Sequence, residues 1–455
     1  MATKPVKTNL KASTQDVLNV VRANSSVQYQ NLVPKADGTL ENLRSIGSII
    51  MDNVPLKNEF LTALFNRIGK VLITSKLYEN PWSFFKKGLL DYGETVEEIF
   101  VNIAQPHVFN QDKAESEVFK REIPDVKSAF HVLNYQVFYK QTTSDYQLKQ
   151  AFLSYQGVQD LIVRIIEAMS TSSNYDEFLV MKYLLARRIL NGDMTGVQIP
   201  TVQTSNMKEI VSDIKGVSNA MEFLNKDYNT VGVYTHNVKD EQYLLVNSTF
   251  DAVIDVEVLA SAFNMDKAEF SGHKVLVDSF GKLDNERLAK LFEDDPTYSE
   301  ISSDDLKALD AIPAVLVSRE WFMIFDSLLE MNQQYNGEGL YWNYWLHNWK
   351  VVSSSPFAQN ALFVAGEITI NSVTVNPSTA TLNGVGSSIQ LTANVVSQNF
   401  APKGVKWESD NDNVIVSESG KVTVLSGATA GTVNITATSR YDSSITGTCT
   451  ITVTV

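Results

Sequence analysis

Cysteine is nearly missing from this chain. Cys449 is alone among 455 residues, so no disulfide closes within the chain and no CxxC metal site exists. That usage fits folding in a reducing cytoplasm. Long apolar runs are missing too: no stretch of about 18 apolar residues occurs, which leaves no spanning helix. The opening stretch MATKPVKTNLKASTQDVLNVVRANSS has no apolar h-region, so no secretory signal is expected. Positive charge is scarce. There are 38 Lys and Arg against 52 Asp and Glu, a formal net charge of −14. So acidic a surface repels phosphate and is a poor wrapper of nucleic acid. It suits a wall that DNA slides past without sticking.

Catalytic patterns are equally thin. No GxxxxGK[ST], no GxGxxG after a strand and no GxSxG elbow occurs. The five histidines, His107, His131, His236, His273 and His347, form no HxH, HExxH or HxxxH pair, so no metal site is expected. Cys449 falls on an alternating segment and reads as a small buried apolar residue. The carboxylate clusters Glu293-Asp294-Asp295 and Asp304-Asp305 lie in polar loops and read as solvated faces. The stretch 409–413, SDNDN, reads as a turn rather than a calcium loop. No enzyme, cofactor or metal follows from any of these.

What is present is pattern. Residues 1–45 are polar and read as an extended arm with one helix at Thr14–Ala23, capped by Ser13 or Thr14. Apolar residues then recur at helical spacing over Ile46–Ile68. Pro55 interrupts that run or starts a second helix, and Gly69 ends it. The segment 69–107 carries strand-like Val71, Ile73, Val96, Ile99, Val101 and Ile103 around turn material, and reads as a long β-hairpin exposing Trp82, Phe84 and Phe85 beside Lys86 and Lys87. A long hairpin cannot bury both faces by itself, so it is expected to lie against another subunit, the alternative being a hairpin packed onto its own domain. Helices are expected at about 145–155, 159–171 and 175–191, the last stopped by Gly192. Residues 200–330 mix helix and strand, which implies an α+β domain. Within them AIPAVLVSREWFMIFDSLLEMNQQYN reads as a buried strand followed by a helix, and aromatic-rich strands follow from Gly339. After Gly366-Glu367 the period changes to two. About seven short strands separated by Asn, Asp, Gly and Ser turns then fill roughly 90 residues, the size of an immunoglobulin-like sandwich.

Residues 368–455 resemble a bacterial immunoglobulin-like domain of group two (BIG2). The matching residues are Val373-Thr374-Val375-Asn376-Pro377, Leu391-Thr392-Ala393, Val405-Lys406-Trp407-Glu408-Ser409-Asp410-Asn411, Gly420-Lys421-Val422, Ala430-Gly431-Thr432 and Ile435-Thr436-Ala437. The resemblance implies that Trp407 fills the sandwich core.

Residues 13–366 resemble the major capsid proteins of the short-tailed phi-twenty-nine-like phages. The strings that carry this are Phe84-x-Lys86-Lys87-Gly88, Gly93-x-Thr95-Val96-Glu97-Glu98-Ile99, Val118-Phe119-x-Arg121-Glu122-x-Pro124-x-Val126-Lys127 and Phe130-His131. Further on come Leu148-Lys149-x-Ala151-Phe152, Asp255-Val256-x-Val258-Leu259-Ala260-x-Ala262-Phe263-Asn264-Met265, Trp321-Phe322-Met323 and Gly339-Leu340-Tyr341-Trp342-Asn343-Tyr344.

That likeness implies an α+β Hong Kong-type phage capsid fold followed by an all-β immunoglobulin-like sandwich. On its map the N-terminal arm is 1–45 and the capsid core 46–366. The core holds an extended loop at about 69–107, a peripheral domain at about 120–190 and 340–366, and an axial domain at about 200–335. The BIG2 domain is 367–455. The implied function is that of a major head protein, many copies of which close into an icosahedral shell around double-stranded DNA.

The implied partners are its own copies, a scaffolding protein during assembly in the host bacterial cytoplasm, and a portal. DNA is enclosed without sequence-specific binding, and no membrane is involved. In such a shell Trp82, Phe84, Lys86 and Lys87 are expected at a contact with a neighbour's acidic surface, and no covalent crosslink is expected. The terminal module is expected on the outer surface of the virion, decorating it or touching neighbours, with weak contact to host-wall polymers as the lesser use. The alternatives are an encapsulin-like compartment shell protein and a bacterial surface adhesin.

Overall fold

The computed structural model describes residues 14–74, 79–90, 95–104, 106–109, 126–153, 157–257, 273–296 and 298–454. At 65–74, 158–160, 162–163, 166, 204 and 253–257 only the backbone is described. The elements run α1 Thr14–Ala23, α2 Val27–Leu32, α3 Leu40–Asp52, α4 Val54–Thr74, β1 Lys86–Leu89, β2 Thr95–Val101, β3 Val126–Ser144, α5 Asp145–Ala151, α6 Gly157–Asn191, β4 Gly196–Ile199, α7 Met207–Ala220, β5 Gln242–Asn247, α8 Ser248–Glu257, β6 Lys274–Val277, α9 Asn285–Leu291, α10 Ser303–Asp310, β7 Ala314–Ser318, β8 Phe322–Asn336, β9 Tyr341–Ser354 and β10 Asn360–Ala365. Nine further strands complete the chain: β11 Thr369–Asn376, β12 Thr379–Asn383, β13 Ser388–Gln390, β14 Thr392–Gln398, β15 Val405–Ser409, β16 Val414–Val416, β17 Lys421–Val424, β18 Gly431–Ser439 and β19 Thr446–Thr454.

The chain divides into two compact units. Unit one gathers Met1–Glu94, Leu133–Leu179 and Phe325–Val351. Its helices start where the sequence supplies caps. Ser26 and Thr39 accept the N–H groups of Tyr29 and Asn42 at the starts of α2 and α3. Extended Asn53 separates α3 from α4, with Pro55 in the first turn of α4, where a missing N–H costs nothing. The described part of the expected arm is therefore not extended. Val17, Leu18, Val21, Tyr29 and Val33 are buried in one core with Leu43, Ile46, Ile50, Phe60, Leu64, Phe152 and Tyr344. Apolar spacing confined to short helices explains why this segment reads as polar overall. The cap candidate Ser13 lies outside the described residues.

Four further expectations are corrected here. The helix expected to end at Gly69 runs on to Thr74, so Val71 and Ile73 are helical. The β-hairpin across 69–107 does not form, because β1 pairs with β8 while β2 pairs with β3. Residues 322–336, read as helix, form the long strand β8 between β1 and β9. Leu, Glu and Met favour a helix locally, but sheet partners on both sides override propensity. The two helices expected over 159–191 are one of 35 residues. Ser173 inside it is buried and accepts a hydrogen bond from Asn348 Nδ2 at 2.7 Å, so a polar step that reads as a break is satisfied from outside the helix.

Unit two gathers Thr95–Val132, Val180–Ile324 and Val352–Val455. Its mixed sheet has the order β4-β10-β7-β5-β6, with β10 parallel to β4 and antiparallel to β7. Met207, Ile210 and Ile214 of α7 cover it together with Phe250 of α8. The α+β expectation for this region holds in these elements. After Gly366 the chain is β throughout, in sheets β11-β14, β12-β19-β18-β15 and β13-β17-β16. Val433, Ile435, Ala437, Cys449, Ile451 and Val453 alternate inward on the central pair β18–β19, as the period of two requires.

Candidate functional site

The four residues expected at a subunit contact stand at the edge of unit one, and the structure puts two of them inside it. Trp82 is fully buried, edge-on to Phe178 with ring centroids 5.3 Å apart. Its backbone N–H donates to Asn80 Oδ1, and Asn80 Nδ2 donates to Glu177 Oε1 at 2.7 Å. Lys86 Nζ lies 2.7 Å from Asp326 and 3.1 Å from Glu177. Lys350 Nζ completes the group, 2.5 Å from Glu177 and in contact with Asp326. Two cations and two carboxylates thus compensate one another, with Lys350 4% and Glu177 6% exposed.

Burial by itself would push the Glu177 and Asp326 carboxyls up. Lys350 and Lys86 outweigh it and hold both below the usual carboxylate range. Burial would likewise lower Lys86, but the two carboxylates hold it above its ordinary value. Within the single subunit Trp82 has no exposed surface, and Lys86 is held by carboxylates of its own chain with 24% of its side chain exposed. Phe84 is half-buried, its ring tilted against Phe85 with centroids 4.4 Å apart, and Lys87 is half-buried too. Aromatic and basic residues in a short stretch signal a contact, and nothing in the sequence tells whether the partner is the chain's own helix.

The surface able to meet another molecule is the β2–β3 ribbon of unit two. Thr95–Val101 pairs antiparallel with Val126–Val132, Val101 opposite Val126 and Thr95 opposite Val132. Alternation sends the two faces to different fates. The inner face is used by the chain itself. Glu98 accepts Ser355 Oγ at 2.7 Å and lies 3.2 Å from His131 Nε2, whose Nδ1 is 2.9 Å from Ser353 Oγ. Phe100 stacks on Phe357 at 5.6 Å, and Lys127 pairs with Glu418 at 2.6 Å. The outer face carries Ile99, Val101, Val126, Phe130 and Val132, each between 53% and 63% exposed. Val108 and Phe109 further along are almost wholly exposed. The alternation of 95–101 signals this face in sequence; its partner strand 126–132 is not recognisable without the pairing.

In the terminal β region Trp407 sits on the inward side of β15 but is only half-buried. It packs on Gly420, which has φ +84° and where a Cβ would meet the Trp407 ring at 3.0 Å. Cys449 is buried, as its strand position implies. Among the described residues no group of three or more His, Cys, Asp or Glu is placed to hold a metal.

A shell needs a rigid core, an apolar contact surface and no catalytic centre, and relatives of this chain point the same way. Residues 18–364 match the family described as Phi29-like phage major capsid protein. The major capsid protein of Bacillus phage B103 is 33% identical over 433 residues, covering 93% of this chain and 90% of that protein. That of Bacillus phage GA-1 is 32% identical over 419 residues, covering 90% and 82%. The capsid structure of Staphylococcus phage Andhra overlays with a TM-score of 0.50 at 17% identity, over 65% of this chain and 86% of that one. At that identity the likeness is one of fold, the Hong Kong-type capsid fold. The chain belongs to the Phi29-like phage major capsid protein family, as a non-enzymatic subunit of the phage head shell.

Proposed function

We propose that copies of this chain are tied into the shell by the outer face of the β2–β3 ribbon, which serves as the extended loop. The loop then spans about 95–132 rather than 69–107. The observation that carries this is the split between the two faces: Glu98, Phe100, Lys127 and His131 on the inner face are engaged by their own subunit, while the outer face sets five apolar side chains, each half or more exposed, around Glu97. An apolar row of that kind marks a protein contact. Covering it stabilises each contact by on the order of 1 kcal/mol per side chain, and closed symmetry multiplies weak contacts.

The terminal β region is read as a BIG2-type immunoglobulin-like sandwich on the outer surface; the alternation of β18 and β19 and the Trp407–Gly420 packing support that reading. A scaffolding protein, a portal and enclosed double-stranded DNA are the partners this function requires, with weak contact between the sandwich and host-wall polymers as a lesser use.

The test is assembly of the full chain carrying Ile99→Glu and Phe130→Glu, co-expressed with the scaffolding protein of the same phage and viewed by electron microscopy. The substitutions face outward, so the subunit keeps its melting temperature while closed shells are lost. Normal shells from the double variant would refute the ribbon's role.

A further inference from the structure

We infer that the terminal β module braces the β2–β3 ribbon of its own subunit and sets the ribbon's pose. Two separate routes join them. The direct one is the pair between Lys127 on the ribbon's inner face and Glu418, 2.6 Å apart. Glu418 sits in the tight β16–β17 turn, where Gly420 N–H donates to Ser417 O and Lys421 N–H to Ser417 Oγ. A turn so tied presents its carboxylate from a fixed position.

The second route starts at the base of the module. Lys403 N–H donates to Gly192 O at 3.0 Å, and Lys403 Nζ reaches Leu190 O. Gly192 has φ +74°, and a Cβ there would lie 2.9 Å from Ala401 O, so the module's loop seats directly on the end of α6. Arg440 donates to Val231 O at 3.1 Å, and the neighbouring Thr230 donates to Pro356 O at 3.2 Å. Next along are Ser355 and Phe357, the residues that hold Glu98 and Phe100 of the ribbon. Tyr234 N–H from the same 230–235 loop reaches Asn102 Oδ1 just beyond β2. A rigid body anchored at its base and touching the ribbon at Lys127 limits how far the ribbon can swing. The brace acts within one subunit, so it stands whether or not the ribbon docks on another copy.

The test is hydrogen exchange of the full-length subunit, read on peptides covering 95–101 and 126–132. Lys127→Glu and Glu418→Lys each accelerate exchange there by about two- to fivefold, the span expected of one partly exposed ion pair acting on local opening. The charge-swapped double variant returns to the wild-type rate. Arg440→Ala, which cuts the second route, also accelerates the same peptides. Wild-type exchange in both single charge reversals, or a double variant no slower than the singles, would overturn the inference.

Discussion

Lys350 carries two carboxylates at once, and the charge cluster of unit one turns on it. Replacing it by Met leaves Glu177 and Asp326 sharing one cation; the expected loss is about 3–5 kcal/mol in chemical denaturation of the subunit. The same cluster sets a pH dependence whose sign follows from the shifts. Glu177 and Asp326 sit below their ordinary values of 4.5 and 3.8, so the folded state binds fewer protons than the unfolded chain. Their contribution is full above those values and drains away as pH falls through the lowered ones. Lys86, held above 10.5, contributes fully below that value and loses its effect as pH rises through its folded one. The melting temperature is therefore expected to drop between about pH 5 and pH 3, and Glu177→Gln to flatten part of that drop. Trp82→Ala separates packing from docking at this position: loss of a fully buried indole costs about 3–5 kcal/mol, whereas loss of a residue used only for docking would leave the monomer's stability unchanged.

At the scale of elements, what could be read from sequence depends on whether the deciding partner is near or far along the chain. Helix α1 is legible to the residue because its apolar spacing, Val17, Leu18 and Val21, is local. The period of two after Gly366 is legible for the same reason, since each strand of a sandwich carries its own alternation. Strand β8 is not, because Leu328, Leu329, Glu330 and Met331 read as helix and only pairing with β1 and β9 decides otherwise. Aromatics and lysines point to an extended loop at 69–107, while the outward face of β2 is written in the alternation Thr-x-Glu-x-Ile-x-Val over 95–101. Helix α6 reads in sequence as two helices, and the hydrogen bond from Asn348 that satisfies Ser173 comes from far along the chain. Ser173→Ala strands that buried amide donor and is expected to cost about 1–3 kcal/mol by denaturant titration.

For the whole molecule, the terminal β module changes meaning. In sequence the module reads as a decoration on a shell subunit, separable from the rest. The seat on Gly192, the Arg440 anchor and the Glu418 pair tie it instead to the strands proposed to join subunits. A tag appended after Val455 is expected to bind antibody on intact particles, as the outward placement of the module requires. The most direct test of the central claim is a cryo-electron microscopy map of closed shells at side-chain detail. The account predicts Ile99, Val101, Phe130 and Val132 covered by a second copy, with Trp82 and Lys86 still packed against Phe178 and Glu177 of their own chain. A solvent-facing ribbon, or Trp82 and Lys86 swung out into the subunit interface, would contradict it.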